Sequence, residues 1–146
     1  MVTGSLRVGG LEKVALSCVQ HSNRQKVQFD FLVFGKEVGG YEEVAKKLGC
    51  RIFRISTPSK GYKVFYKNVC DIIKNNGPYN IVHSHTFLNS GIVLKAAFDC
   101  GVPKRIAHSH SIKRKGRISV LKMVYNFAMK QMLSRYATDF CACSEA

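Results

Sequence analysis

Gly4-Ser5-Leu6-Arg7-Val8-Gly9-Gly10-Leu11-Glu12 is a glycine-rich turn that runs directly into a helix. Ahead of it, Met1–Thr3 reads as the tail of a strand. Behind it, Leu11, Val14, Ala15, Cys18 and Val19 recur at helical spacing. Glycine has no Cβ and tolerates positive φ, so a turn of this kind lets the backbone approach a ligand closely. The N–H groups of the first helical turn lack intrahelical partners and favour anions. Strand, turn and helix together predict a binding site at the amino end of an α/β domain. Tight strand-to-helix turns also use glycine for steric reasons alone, so the turn needs company before it carries a function.

Outward from this turn, strand and helix patterns alternate, which predicts a Rossmann-like, mostly parallel sheet with helices on both faces. Val27–Phe34 reads as a strand, Tyr41–Leu48 as a short helix closed by Gly49, and Arg51–Ile55 as the next strand. Tyr62, Phe65, Val69, Ile72 and Ile73 mark a helix ended by Gly77-Pro78. Ile81–His85 is a short strand, with Asn89 or Ser90 as the expected N-cap of an apolar helix through Phe98. Arg105–Ser109, Val120–Tyr136 and Asp139–Cys143 follow as strand, helix and strand, and Ser144 reads as a further N-cap. Both ends read as truncated, because the first strand of a doubly wound sheet is central and has several apolar residues.

The 146 residues, 46% of them hydrophobic, suit one domain with a real core. No apolar run approaches the roughly 18–20 residues that span a bilayer, and no secretory segment is visible, so a cytoplasmic location is expected. The six cysteines include no C-x-x-C pair and are expected to be free thiols acting as small hydrophobes. The net charge is +14, and Cys100 to Thr138 contains no acidic residue while holding Lys104, Arg105, Lys113, Arg114, Lys115, Arg117, Lys122, Lys130 and Arg135. Such a field favours a polyanionic partner. The strands read as buried rather than as exposed aromatic platforms, which argues against nucleic acid.

His83-Ser84-His85 and His108-Ser109-His110 close two predicted strands. Residues i and i+2 of a strand share a side, so each pair can converge on one ligand at the carboxyl edge, where α/β proteins place ligands. A metal centre is disfavoured by the shortage of carboxylates, with only Glu12 and Asp139 expected nearby, and structural histidines are the bland alternative. Substrate binding is the preferred reading. Glu12 is equally well a first-turn carboxylate that suits the helix dipole. Lys113-Arg114-Lys115-Gly116-Arg117 is a solvated loop or the basic entry to a membrane-surface helix. Most apolar residues of that helix (Val120, Leu121, Val124, Phe127, Ala128, Met132, Leu133) are expected in the core.

Gly9-Gly10-Leu11-Glu12, Asn80-Ile81-Val82-His83-Ser84-His85-Thr86, Gly101-Val102-Pro103 leading to His108-Ser109-His110, and Ala142-Cys143-Ser144-Glu145 occur in that order. Their order and spacing resemble the amino-terminal domain of GT-B-fold glycosyltransferases of retaining family 4, across nearly the whole chain. The resemblance implies the acceptor-side domain of a hexosyltransferase working on a nucleoside diphosphate sugar, without a metal or other cofactor. It implies a saccharide or lipid-linked acceptor, as in polysaccharide or cell-envelope glycan synthesis, and a peripheral position on an anionic membrane surface. By the same resemblance Gly9 and Gly10 approach the donor diphosphate, with Glu12, His83, His85, Ser144 and Glu145 also assigned to donor or acceptor. His108 or His110 matches the family histidine at the reaction centre, and the doubled His-Ser-His leaves the choice open. Lys113, Arg114, Lys115 and Arg117 are the expected membrane or anion contacts. The family's donor-binding domain lies outside this sequence, so the chain alone is expected to be inactive. A basic polyanion-binding α/β module and a histidine-based metal hydrolase remain as alternatives.

Overall fold

The computed structural model describes residues 1–110 and 119–142. Helix α1 (Gly10–Gln20) is followed by β1 (Asp30–Phe34), α2 (Glu42–Lys47), β2 (Arg51–Ile55), α3 (Tyr62–Asn76) and β3 (Ile81–Ser84). Then come α4 (Ser90–Asp99), β4 (Lys104–Ser109), α5 (Val120–Tyr136) and β5 (Asp139–Ala142). The described strand pairings are all parallel: β1 with β2, and β4 between β3 and β5. Val2 joins the two groups by pairing in parallel with Leu32 on one side and Ser84 on the other. The spatial order is therefore β2, β1, the Val2 segment, β3, β4, β5. The chain runs outward one way through β1 and β2, then returns past Val2 and runs the other way. Such a reversal opens a crevice at the carboxyl edge of a doubly wound sheet.

The two faces are sorted by the period of the strands. In β1, Phe31 and Val33 join Ala15, Leu16 and Val19 of α1 and Ala45 of α2. Leu32 belongs to the opposite cluster, with Phe65, Val69 and Ile73 of α3 and Ile92, Val93, Ala96 and Ala97 of α4. Helices thus cover both faces, as the strand–helix alternation predicts. Phe31 and Phe65 are fully buried, and each such side chain contributes about 1.5–3 kcal/mol.

The structure departs from the sequence expectations at three places. Val27–Phe29 are not strand, because the ladder begins where Asp30 meets Arg51. Before that point Val27 N–H bonds Asn23 O in a turn, and the Gln28 amide bonds the carbonyls of Phe29 and Gly49. Neither Asn89 nor Ser90 caps α4 with its side chain. Asn89 Oδ1 accepts from Tyr125 Oη at 2.6 Å, and Ser90 Oγ meets Ser84 Oγ at 2.9 Å, so the two tie α4 to α5 and β3.

The third departure is in α5. Its apolar residues were expected in the core, yet only Met129 of this helix is buried. Val120, Leu121, Val124 and Phe127 are 76, 81, 61 and 64% exposed. The helix meets α4 along one side only, where a Cβ on Gly91 would stand 2.9 Å from Met129 O. Met132, Leu133 and Tyr136 pack half-buried against the core, and the first turns project beyond it.

Candidate functional site at the carboxyl edge of the sheet

The strand period sends His83 and His85 to the face opposite Val82 and Ser84, while His108 and His110 lie on the face opposite Ala107. The parallel pairing of β3 with β4 brings both pairs together. His83 Nε2 lies 3.0 Å from His108 Nδ1, and His85 Nδ1 lies 2.8 Å from His110 Nε2. The rings stack along each strand, with centroids 4.2 Å apart for His83 and His85 and 4.1 Å for His108 and His110. Nitrogen atoms of His83, His85 and His108 fall within 4.8 Å of one another.

His85 is buried and the other three are half-buried. Burial, followed by the neighbouring imidazoles, pushes His83 down to about 4 and His85 down to about 2. His108 is lowered by burial and then by His110, and His110 by burial. Desolvation penalises the imidazolium, and packed rings cannot all carry charge. The quartet is accordingly neutral at pH 7, able to accept and donate hydrogen bonds and to offer lone pairs.

Two buried polar atoms in this corner lack a hydrogen-bond partner among the described residues: His85 Nε2 and Thr3 Oγ1. Val2 pairs with Ser84, so Thr3 and His85 are successive partners on one sheet face. An unsatisfied buried group costs about 1–3 kcal/mol, so two at adjacent register positions point to a polar ligand. Thr3 carries no motif, and only its place in the ladder reveals it. Phe87 has φ 52°, a left-handed backbone uncommon outside glycine, directly after β3.

The glycine turn emerges at the same edge, because the Met1–Thr3 segment runs parallel to β3. Its glycines do not use positive φ: Gly9 is extended at φ −167°, and neither Gly4 nor Gly10 is left-handed. No side chain caps α1, so the first-turn N–H groups keep their anion-binding character. Glu12 folds back over Gly9, where a Cβ would stand 2.6 Å from Glu12 Oε2. The close approach lies elsewhere. A Cβ on Gly39 would sit 2.2 Å from Leu6 C and 2.6 Å from Arg7 N. Tyr41 N–H also bonds Leu6 O at 2.8 Å, so the loop before α2 clamps the turn. Glu42 accepts from Gly39 N–H at 2.8 Å and from Arg54 Nη2 at 2.5 Å. Burial alone would raise the Glu42 carboxyl, and these donors hold it below its ordinary value.

Lys113, Arg114, Lys115, Arg117, Ser144 and Glu145 lie outside the described residues. Of the other candidates, the structure brings His83, His85, His108 and His110 into contact. It sets Gly9, Gly10 and Glu12 at the same edge, with no described hydrogen bond joining them to the histidines.

No helix among the described residues is long and apolar enough to cross a membrane. No family model matches the chain, and no solved structure matches it. The chain is similar to a Bacillus subtilis (strain 168) protein named "Putative glycosyltransferase EpsF", with 33% identity over 147 residues. The aligned region is 99% of this chain and 38% of that relative, so the chain spans less than half of the relative's length.

Proposed function

We propose that this chain is the acceptor-side portion of a glycosyltransferase that moves a hexose from a nucleoside diphosphate sugar to a saccharide or lipid-linked acceptor. The carrying observation is the similarity to the glycosyltransferase-named relative, spread over 99% of the chain rather than confined to one motif. The geometry supplies roles for the residues. The uncapped start of α1 beyond Gly9 and Gly10 suits the donor diphosphate, whose charge grows as the bond to the sugar breaks. The neutral histidines suit hydroxyl groups of the sugars, and His108 and His110, on the more exposed strand end, are the groups proposed to face the reacting carbon. Glu12 orients the turn. The reaction proposed needs no metal, since the diphosphate leaves against fixed donors and dipoles.

Release of nucleoside diphosphate by the full-length protein, across a panel of nucleotide sugars with and without saccharide acceptors, tests this. Acceptor-dependent release that falls about 10²–10⁴-fold in His108→Ala or His110→Ala supports the proposal. Absence of release with every donor, from protein whose circular dichroism is native, overturns it.

The exposed face of α5 favours a second element. Val120, Leu121, Val124 and Phe127 stand outward beside Lys122 and Lys130, a pairing of apolar and basic groups suited to an anionic membrane surface. Co-sedimentation with vesicles containing phosphatidylglycerol, compared with neutral vesicles, reads this out. Equal recovery with both kinds of vesicle sinks it.

A further inference from the structure

We propose that the cavity beside the outer strand β2 is a subsite for an anionic saccharide unit of the acceptor. The assignment rests on the transferase reading for the word acceptor, and on the cavity itself for place and chemistry. Among the described residues β2 is an edge strand, and α3 packs back along it. The space between them measures about 770 Å³, and small-ligand sites run from roughly 300 to 1,000 Å³. Ile55 and Ile72 give it an apolar floor. The walls are polar: Lys36 follows β1, Ser56 and Lys60 follow β2, and Asn68 and Asp71 come from α3. Among the described residues none of these polar side chains has a hydrogen bond or ion pair, so all of them can turn to a ligand.

One wall is fixed in place. Arg54 Nη1 donates to the carbonyls of Gly35 at 3.3 Å and Glu37 at 2.7 Å, and Nη2 donates to Glu42. Gly35 takes φ 82°, which suits glycine, and its N–H bonds Ile55 O at 2.9 Å. The far side of the same segment is Gly39, pressed on Leu6 of the glycine turn. Cavity and turn therefore stand on opposite sides of one short partition, and a saccharide whose reacting end is at the turn extends its next unit into the cavity. The lining selects that unit. A sugar has an apolar ring face, matched by the two isoleucines, and hydroxyls that donate and accept. Asn68 and Ser56 do both, and Asp71 accepts. Arg54 is already paired with Glu42, so Lys36 and Lys60 outweigh Asp71 and favour a carboxylate or phosphate substituent. A nucleobase calls for an aromatic face, and no described aromatic ring lines the cavity.

Saturation-transfer NMR on the full-length protein tests this with D-glucuronate, D-glucose 6-phosphate and neutral D-glucose as probes. At least one acid is expected to bind saturably and about tenfold more tightly than glucose, the worth of a charge-assisted hydrogen bond. Whichever acid binds names the substituent as carboxylate or phosphate. Lys36→Gln combined with Lys60→Gln should bring that acid down to the affinity of glucose, while Asn68→Ala should weaken both. Lys47→Gln, in the last turn of α2 and outside the cavity, should change neither. None of these positions is buried, so the variants are expected to fold. Lack of saturable acid binding overturns the proposal, and so does equal affinity for acid and glucose. Inorganic phosphate binding as tightly as the sugar acid also overturns it, since the cavity would then read charge alone. Acid binding that survives the paired lysine substitution in folded protein moves the site elsewhere and has the same consequence. The readout needs no turnover. Binding without release of nucleoside diphosphate sinks the transferase reading alone, and release without binding sinks this subsite alone.

Discussion

The two edges of the sheet handle buried polar groups in opposite ways. At the amino edge, Asp30 is met by Arg51 Nη2 at 2.6 Å and Tyr79 Oη at 2.7 Å. Burial would raise the Asp30 carboxyl, but these donors hold it below its ordinary value, and Arg51 and Tyr79 are both pushed upward in turn. Every member has a partner, so the charges are kept. At the carboxyl edge burial lowers four histidines towards the neutral form, and two polar atoms have no partner among the described residues. The satisfied edge contributes stability, while the unsatisfied edge retains capacity for a ligand.

The sharpest way to break this contrast is to substitute at both edges and compare. His110→Ala is expected to lower transfer by about 10²–10⁴-fold while moving the thermal midpoint little. Asp30→Ala should do the reverse. It leaves Tyr79 without its acceptor and the half-exposed Arg51 with Asn76 O alone, and costs about 1–3 kcal/mol, read by urea unfolding. A His110→Ala protein that keeps full turnover but melts early would make the carboxyl edge a structural one.

Gly39→Ala probes the clamp on the glycine turn. Its Cβ would meet Leu6 and Arg7 backbone that cannot swing aside, so a loss of about 1–3 kcal/mol is expected, with the Michaelis constant for donor raised. Gly9→Ala meets only the tip of Glu12 and should be much milder. Equal effects of the two would remove the clamp.

Acid separates the edges more gently. Folded-state values of His83 and His85 lie below their unfolded value of about 6.5. The unfolded chain therefore takes up protons first, and stability falls as pH drops from about 6.5 towards 4. Asp30, also depressed, adds its loss only below about pH 4. Thermal midpoints against pH should show the upper step flattened in His83→Gln and the lower one retained. The smallest effect is expected at α5, where Phe127→Ser removes an exposed ring and should leave unfolding within about 0.5 kcal/mol of wild type.

Much of this was legible in the residues. The alternation of periods gave the parallel sheet, and Arg51–Ile55 and Val120–Tyr136 were bounded correctly, because flanking turns and apolar spacing are local properties. The convergence of the histidines also followed, since period two and neighbouring parallel strands suffice. What escaped was non-local. Gly39 is one glycine among twelve until Leu6 is seen against it. The bond from His83 to His108 depends on register. Apolar spacing in α5 reads the same whether a core or the surroundings receive it, so its exposed face was mistaken for a buried one.

The seam at Val2 has a consequence for motion. Val2 N–H bonds His83 O, His85 N–H bonds Val2 O, Leu32 N–H bonds Met1 O, and Thr3 N–H bonds Leu32 O. The two halves of the sheet therefore share a very short zipper, and one side of it is the backbone of the histidines themselves. Val2, Leu32 and Val82 also share one buried cluster across the seam, so parting the halves would open that core and the backbone pairing of His83 and His85 together. Occupancy of the histidine site and cohesion of the sheet are then linked, and a ligand held there acts as a rivet across the seam.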